Sequence, residues 1–184
     1  DIVSDATHAC SAIAAEKGVR LVVQSDDGPM PVIAHRDEMI QVAENLVSNA
    51  LKYSKEGGQV ILSFGIASGM AEARLKAGQT WASSERMTLL PASSRPGTQE
   101  RAIWMRVEDQ GPGIEREHLP RLGERFYRAD QSRGGKITGT GLGLAIVKHI
   151  MAHHRGGFSV ETRIGEGTAF GVWLPAAREE GLSD

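Results

Sequence analysis

The sequence predicts an α/β protein, a two-layer sandwich with about three helices on one face of a mixed sheet of about five strands. Three observations predict it. Apolar residues recur at three- and four-residue spacing around 1–17, 37–53 and 142–154, the period of helices with one buried face. Short alternating or β-rich stretches, bounded by Gly, Pro and Asp, lie between and after them. The length of 184 residues, with 40% hydrophobic and 24% charged residues, suits one domain with a full core.

Residues 1–17 place Ile2, Val3, Ala6, Ala9, Cys10, Ile13 and Ala14 on a helical stripe, and Gly18 marks its stop. Val19 to Gln24 reads as a strand, Asp26-Asp27-Gly28-Pro29 as a turn, and Pro31 to Ala34 as a second short strand. Asp37 to Tyr53 carries the strongest helical pattern, with Met39, Val42, Ala43, Leu46, Val47 and Ala50 on one face. Val60 to Ile66 alternates as a strand. The stretch from 67 to about 100 is rich in Ser, Ala, Gly, Thr and Pro, and is expected to be an inserted surface hairpin or loop, partly mobile. A strand over 102–108 runs into Asp109-Gln110-Gly111-Pro112-Gly113, and a short helix is expected around Glu115 to Phe126. Leu142 to His154 forms the third strong helix. Strands over 158–163 and 168–174 close the chain around Gly165-Glu166-Gly167, and the whole reads as one domain.

The composition excludes several classes. Net charge is -2 with no basic run, so there is no electrostatic footprint for nucleic acid. Cys10 is the lone cysteine, which rules out an internal disulfide and a cysteine-rich zinc site and fits a reducing cytoplasm. No apolar run approaches the roughly 20 residues of a membrane span. The opening Asp1-Ile2-Val3-Ser4-Asp5 has neither an initiator Met nor the form of a signal peptide, so the expectation is a segment of a longer protein, which leaves a membrane-embedded parent open.

Three constellations carry chemistry. Asn45, Asn49, Lys52 and Tyr53 share one helix face, roughly opposite part of the apolar stripe. Two amides offer hard oxygen ligands to Mg²⁺, a lysine offers a point charge to phosphate, and a tyrosine offers a flat surface to a base. Read alone, the same face is equally a solvated one. Asp109, at the end of a strand, can accept a hydrogen bond from an exocyclic amine, while Gly111 and Gly113 let the backbone pass close to a ring. On its own such a sequence is more often simply a turn. Gly139-Thr140-Gly141-Leu142-Gly143-Leu144 opens a helix, where backbone amides form an anion site. It is neither a dinucleotide fingerprint, since Leu144 replaces the third glycine, nor a Walker A sequence.

Taken in order, these segments resemble the boxes of bacterial sensor histidine kinases. Asn45 to Tyr53 is similar to their N box, Asp109 to Ile114 to the first glycine box, and Glu124-Arg125-Phe126-Tyr127-Arg128 to the F box. Gly139 to Leu144 is similar to the second glycine box, and Gly165-Glu166-Gly167-Thr168 to the last. The helix from Leu142 to Ile150, with His153-His154 after it, resembles the phosphate-regulon sensor kinases in particular, which would make phosphate the sensed signal.

The resemblance implies the Bergerat fold of the GHKL superfamily, with ATP and Mg²⁺ as cofactors. Asp109 would then bind the adenine amine, Tyr53 would pack on the base, and Asn49, helped by Asn45, would hold Mg²⁺. Lys52, Arg125 and Arg128 would neutralise phosphate, with Asn45 and Lys52 as the catalytic side chains. Gly111, Gly113, Ile114 and Phe126 would line the nucleotide site together with Gly139, Thr140, Gly141, Leu142, Gly143 and Leu144. Thr168 would support Asp109, and residues from about 128 to 139 would form a lid over ATP.

The reaction implied is transfer of the γ-phosphate to a histidine on an upstream dimerization and phosphoacceptor domain, and indirectly to a response regulator. The implied setting is a cytoplasmic, monomeric domain of a membrane-anchored homodimer at the inner membrane. His8 lacks the acidic neighbour and downstream proline of a phosphoacceptor, and His35, His118, His149, His153 and His154 show no ligand pattern. The alternatives are a GHKL-type ATPase, an anti-sigma-type serine kinase, or a nucleotide-binding regulatory module without transfer activity. A hydrolase of this fold needs a glutamate one turn before Asn49, and that position is Asn45.

Overall fold

The computed structural model describes residues 2–25, 36–93, 100–129 and 141–176. Their elements run α1 (Ile2–Lys17), β1 (Arg20–Ser25), α2 (Arg36–Tyr53), β2 (Gln59–Ala67), α3 (Met70–Gly78), β3 (Glu85–Leu90) and β4 (Ala102–Glu108). A 3₁₀ helix (Arg116–Arg121), α4 (Gly143–His153), β5 (Gly157–Arg163) and β6 (Gly167–Pro175) complete them. The strand expected over 31–34, Gly139, Thr140 and most of the expected lid lie outside the described residues.

One mixed sheet organises the chain in the order β1-β2-β4-β6-β5-β3. The β1–β2 pair is parallel, joined across α2, and every other pair is antiparallel. The sheet therefore has six strands rather than about five. The sixth is β3, which pairs antiparallel with β5 along one edge.

On one face α1, α2 and α4 bury their apolar stripes. Cys10 and Ala14, then Val42, Leu46 and Leu51, then Val147, Ile150 and Met151 pack with sheet residues Val60, Leu62, Val107, Phe158, Phe170 and Val172. Each large aliphatic or aromatic side chain removed from water here contributes about 1.5–3 kcal/mol. Alternation along β4 sends Ile103 and Val107 into this core, and Trp104 and Arg106 to the opposite face.

That opposite face corrects two expectations. The helices are not confined to one side: α3 covers the back of the sheet, with Ala73 and Ala77 against Ala67, Ala102, Trp104 and Trp173. The stretch read as a hairpin or loop thus carries a helix and an edge strand. Contact is close because small residues face each other. A Cβ on Gly171 would lie 2.2 Å from the Ala77 carbonyl oxygen.

A buried ion pair fastens this layer. Glu161 on β5 has no exposed surface and Arg106 only 1%. Arg106 Nη1 donates to Glu161 Oε2 at 2.8 Å and to the Ala77 carbonyl at 3.1 Å, near the last turn of α3. Glu161 also accepts from Thr80 N at 3.1 Å, Trp81 N at 2.9 Å, Ser84 Oγ at 2.8 Å and Arg86 Nε at 3.3 Å. The Trp81 ring lies 5.0 Å from the Arg106 guanidinium and 4.7 Å from that of Arg163. Burial works against the Glu161 charge, but Ser84, Arg106, Trp81 and Thr80 together hold its pKa below the usual carboxylate range. Its stabilising contribution is present above the unfolded pKa and disappears as pH falls through the lower folded one.

Breaking a buried pair by removing one charge costs about 3–5 kcal/mol, because the other charge stays buried. Glu161→Gln is expected to lower the melting temperature markedly and to open Arg74, Lys76 and Arg86 to trypsin. Leu75→Ala, at a position 47% exposed, is expected to change neither. Equal protease resistance in Glu161→Gln and the parent would show that this pair does not anchor α3 and β3.

Candidate functional site

Helix α2 supplies the floor of the site. At its carboxyl end the backbone oxygen of Tyr53 lies so close to Gly111 that a Cβ there would sit 2.7 Å from it. Two turns earlier, Asn45 Nδ2 donates to the Gly143 carbonyl at 3.5 Å. Roughly 12 Å of one helix face therefore bridges the Asp109–Ile114 turn and the start of α4. Asn49 and Lys52 lie between, both half-buried. The Lys52 ammonium is 5.3 Å from the centre of the Tyr53 ring.

A helix ending in a cleft leaves carbonyls without intrahelical partners. Here Lys17, the last residue of α1, reaches across and donates its Nζ to Leu51 O at 2.6 Å and Lys52 O at 2.8 Å. A cation at a helix carboxyl terminus also meets the negative end of its dipole. The contact fixes the turn that carries Lys52 and Tyr53.

Asp109 follows β4 directly and is only 5% exposed. Its Oδ1 accepts from Gly111 N at 2.8 Å and Thr168 N at 3.2 Å, while its own N–H donates to Thr168 O at 2.9 Å. Both donors go to one oxygen, so Oδ2 has no donor among the described residues. Burial pushes the carboxyl up to about 6 from an ordinary 3.8, against the pull of the Gly111 and Thr168 amides and with a small push from Glu108. Ionising it in the folded protein costs on the order of 3 kcal/mol more than in water. A carboxylate retained at that cost, with one oxygen left for an outside donor, suits recognition of an amine or amide N–H.

Two glycines are required, one in this turn and one on the strand beside it. A Cβ on Gly113, where φ is 78°, would lie 2.5 Å from the Arg163 carbonyl. One on Gly167, where φ is 153°, would lie 2.1 Å from the Asp109 carbonyl.

The start of α4 is fixed from the Phe126 segment. Phe126 N donates to Gly141 O at 3.0 Å, and a Cβ on Gly141 would lie 2.8 Å from Phe126 carbonyl carbon. Phe126 itself has φ of 63° and is 67% exposed. Tyr127 anchors the segment through a hydrogen bond with His118 Nδ1 and beneath the Arg121 guanidinium, 4.2 Å from its ring. The expected short helix here is the 3₁₀ turn that positions His118 and Arg121. Among the described residues no side chain caps the amino end of α4, where the first amides of a helix suit an anion.

The structure thus ties Tyr53 to Gly111, Asn45 to Gly143, and Asp109 to Gly111 and Thr168, with Asn49 and Lys52 on the same stretch of α2. Ile114 closes the same turn, Leu142 and Leu144 flank the start of α4 half-buried, and Arg128 is half-buried. Arg125 is exposed and makes no hydrogen bond or ion pair among the described residues. Among those residues no group of three His, Cys, Asp or Glu could hold a metal. A divalent ion on this face would instead use amide oxygens of α2 together with oxygens of the ligand, which is the donor set that suits Mg²⁺. Lys17, which holds the end of α2, and Thr162, whose Oγ1 accepts from Ile114 N at 2.9 Å, were not singled out from the sequence. A lysine ending a helix and a threonine inside a strand carry no local signal of that role.

Residues 34–178 match the family described as histidine kinase-, DNA gyrase B- and HSP90-like ATPase. The chain is 30% identical over 165 residues to the sensor histidine kinase WalK of Bacillus subtilis, covering 90% of this chain and 22% of that protein. It is 34% identical over 133 residues to the phosphate regulon sensor protein PhoR of Pseudomonas aeruginosa, covering 72% and 23%. With the sensor-like histidine kinase SenX3 of Mycobacterium tuberculosis it shares 33% identity over 180 residues, covering 97% and 35%. The chain therefore spans between about a fifth and a third of these relatives. In fold it is similar to full-length ShkA in complex with AMPPNP, with a TM-score of 0.67 at 24% identity over 96% of this chain and 29% of that one. It is equally similar to the catalytic domain of the histidine kinase ThkA, with a TM-score of 0.66 at 19% identity over 95% and 90%. The chain belongs to the histidine kinase-, DNA gyrase B- and HSP90-like ATPase family.

Proposed function

We propose that this domain binds Mg·ATP and passes its γ-phosphate to a histidine on a separate dimerization and phosphoacceptor domain, as the catalytic part of a two-component sensor kinase. One observation carries the reading. A buried carboxylate with a spare oxygen, Asp109, begins a turn packed against the end of a helix that carries two amides, a lysine and a tyrosine. In this reading Asp109 Oδ2 accepts the adenine amine and Tyr53 packs on the base. Asn49 and Asn45 orient Mg²⁺, and Lys52, Arg125 and Arg128 face phosphate charge. The amides at Gly141 to Gly143 cradle the phosphates, and Phe126 fixes that segment through its bond to Gly141.

When bound, Mg·ATP supplies the transferable phosphoryl group and much of the charge neutralisation. The domain's part is positioning and electrostatics, which is most of what phosphoryl transfer requires. The imidazole nitrogen of the acceptor attacks the γ-phosphorus, the bond to the β-phosphate oxygen breaks, and ADP leaves. The imidazole proton passes to a base of the acceptor domain. Hydrolysis is disfavoured because the position one turn before Asn49 is an amide, Asn45, turned toward Gly143. Glu44 cannot replace it. That carboxylate lies near Cys10 of α1, whose thiol is raised by burial and then by the Glu44 charge. The names of the relatives, the AMPPNP bound to ShkA and the family's gyrase-type members support ATP as the ligand. A membrane-anchored, homodimeric whole protein at the inner membrane, signalling to a response regulator, is the setting this reading adopts.

Mixed with Mg·ATP and the histidine-bearing segment of the same protein, the chain is expected to label that histidine. Alone it is expected to bind nucleotide without labelling itself. Steady ATP hydrolysis with no transfer would establish the hydrolase instead.

Asp109→Asn keeps Oδ1 as acceptor for both amides but removes the costly charge. The folded pKa lies above the unfolded one, so the native stability contribution of Asp109 is complete below about pH 4 and lost as pH rises through about 6. The variant is therefore expected to melt at or above the parent temperature at pH 8, with the difference closing toward pH 4. Its ATP affinity is expected to fall at least tenfold. In the parent, ATP affinity is expected to weaken as pH drops below about 6, where Asp109 takes up a proton. Unchanged ATP affinity in Asp109→Asn, measured by calorimetry, would remove Asp109 from the site.

A further inference from the structure

Adjacent residues of β5 face opposite ways: Glu161 holds the back layer, and Thr162 turns toward the Asp109 turn. Thr162 is 1% exposed and pairs with Thr168 across the β5–β6 ladder. A threonine hydroxyl has one hydrogen and two lone pairs, and the structure offers a partner for each. Ile114 N donates to Thr162 Oγ1 at 2.9 Å, Thr168 Oγ1 lies 2.9 Å away, and the Gly167 carbonyl lies 3.2 Å away. With its proton on the Gly167 carbonyl, Thr162 accepts from both the Ile114 amide and the Thr168 hydroxyl.

The six-residue turn from Asp109 to Ile114 is therefore anchored at both ends on one pair of strands. Its first residue is held by Thr168 N and its last by Thr162 Oγ1. The span between carries the glycines whose backbone passes close to its neighbours, so few side chains restrain it. Pro112 adds one further contact, its carbonyl accepting from Gly165 N at 2.7 Å.

We infer that Thr162 is a positioning residue for base recognition, its buried hydroxyl tying Ile114 to Thr168 and so fixing the aim of Asp109 Oδ2. The inference rests on the assignment of Asp109 to the adenine amine. Thr162 is too deeply buried to touch a nucleotide, so its effect must pass through the turn.

The test compares Mg·ATP with Mg·ITP, which carries a carbonyl oxygen where ATP carries the exocyclic amine, by calorimetry on the chain and three variants. Thr162→Val keeps the shape but leaves the Ile114 amide without its partner. It is expected to weaken ATP about tenfold and ITP less than twofold, so that the preference for ATP collapses. Thr162→Ser restores the hydroxyl and is expected to stay within twofold of the parent for both. Equal weakening of both nucleotides in Thr162→Val, or an undiminished preference for ATP, overturns the inference. Should the valine variant not fold, Thr162→Cys, whose thiol is a weak hydrogen-bond partner, is judged by the same two ratios. Asp109→Asn separates the two readings. If it abolishes the preference while the Thr162 variant keeps it, only the Thr162 inference fails. If Asp109→Asn keeps the preference, the assignment of Asp109 itself fails.

Discussion

The site depends on a carboxylate held where burial makes its charge costlier than in water. Asp109 is held at the end of β4 by two backbone amides that converge on a single oxygen. Its burial raises the cost of the charge, while its second oxygen has no donor among the described residues. An acceptor left for the ligand discriminates, because a ligand that lacks the matching donor makes no bond to it. The glycines around it follow from the same constraint. A side chain at Gly111, Gly113 or Gly167 would push neighbouring backbone out of the positions that aim the carboxylate.

The rest of the fold can be understood as support for that arrangement from two sides. Helix α2 brings its amides, Lys52 and Tyr53 alongside, and Lys17 of α1 pins the end of that helix through two carbonyls. On the far side of the sheet, the Arg106–Glu161 pair binds α3 and β3 to β4 and β5. These two strands lead directly into Asp109 and into the Thr162 contact. The layer behind the sheet thus rests on the strands that carry the site, although it touches none of the proposed nucleotide-binding side chains.

Much of this was legible in the sequence, for reasons that differ by element. Helix α2 announces itself because large aliphatic residues alternate with polar ones at the helical period, and its polar face held the candidate residues. Helix α3 was hidden because its buried side is Ala73, Ala77 and Gly78. Small residues give little hydrophobic contrast, so the stretch read as loop. Arg106 and Glu161 carry no sequence signal of pairing, and only the covering layer makes them a buried pair. Asp109 had a local signal in its strand end and glycines, but only the ordered run of boxes set it apart from an ordinary turn. Thr162 and Lys17 were missed because the partners that tie them to the site, Ile114 and Leu51, lie 48 and 34 residues away in sequence.

The most direct test is a ¹H–¹⁵N titration of the chain with Mg·ADP. Shifts are expected to concentrate on the backbone amides of Gly111, Gly113, Thr168 and Gly143 and on the side-chain amides of Asn45 and Asn49. The amides of α3 and β3 should remain still. Shifts confined to the back layer, or a titration that leaves Gly111 and Thr168 unmoved while nucleotide binds, would contradict the account.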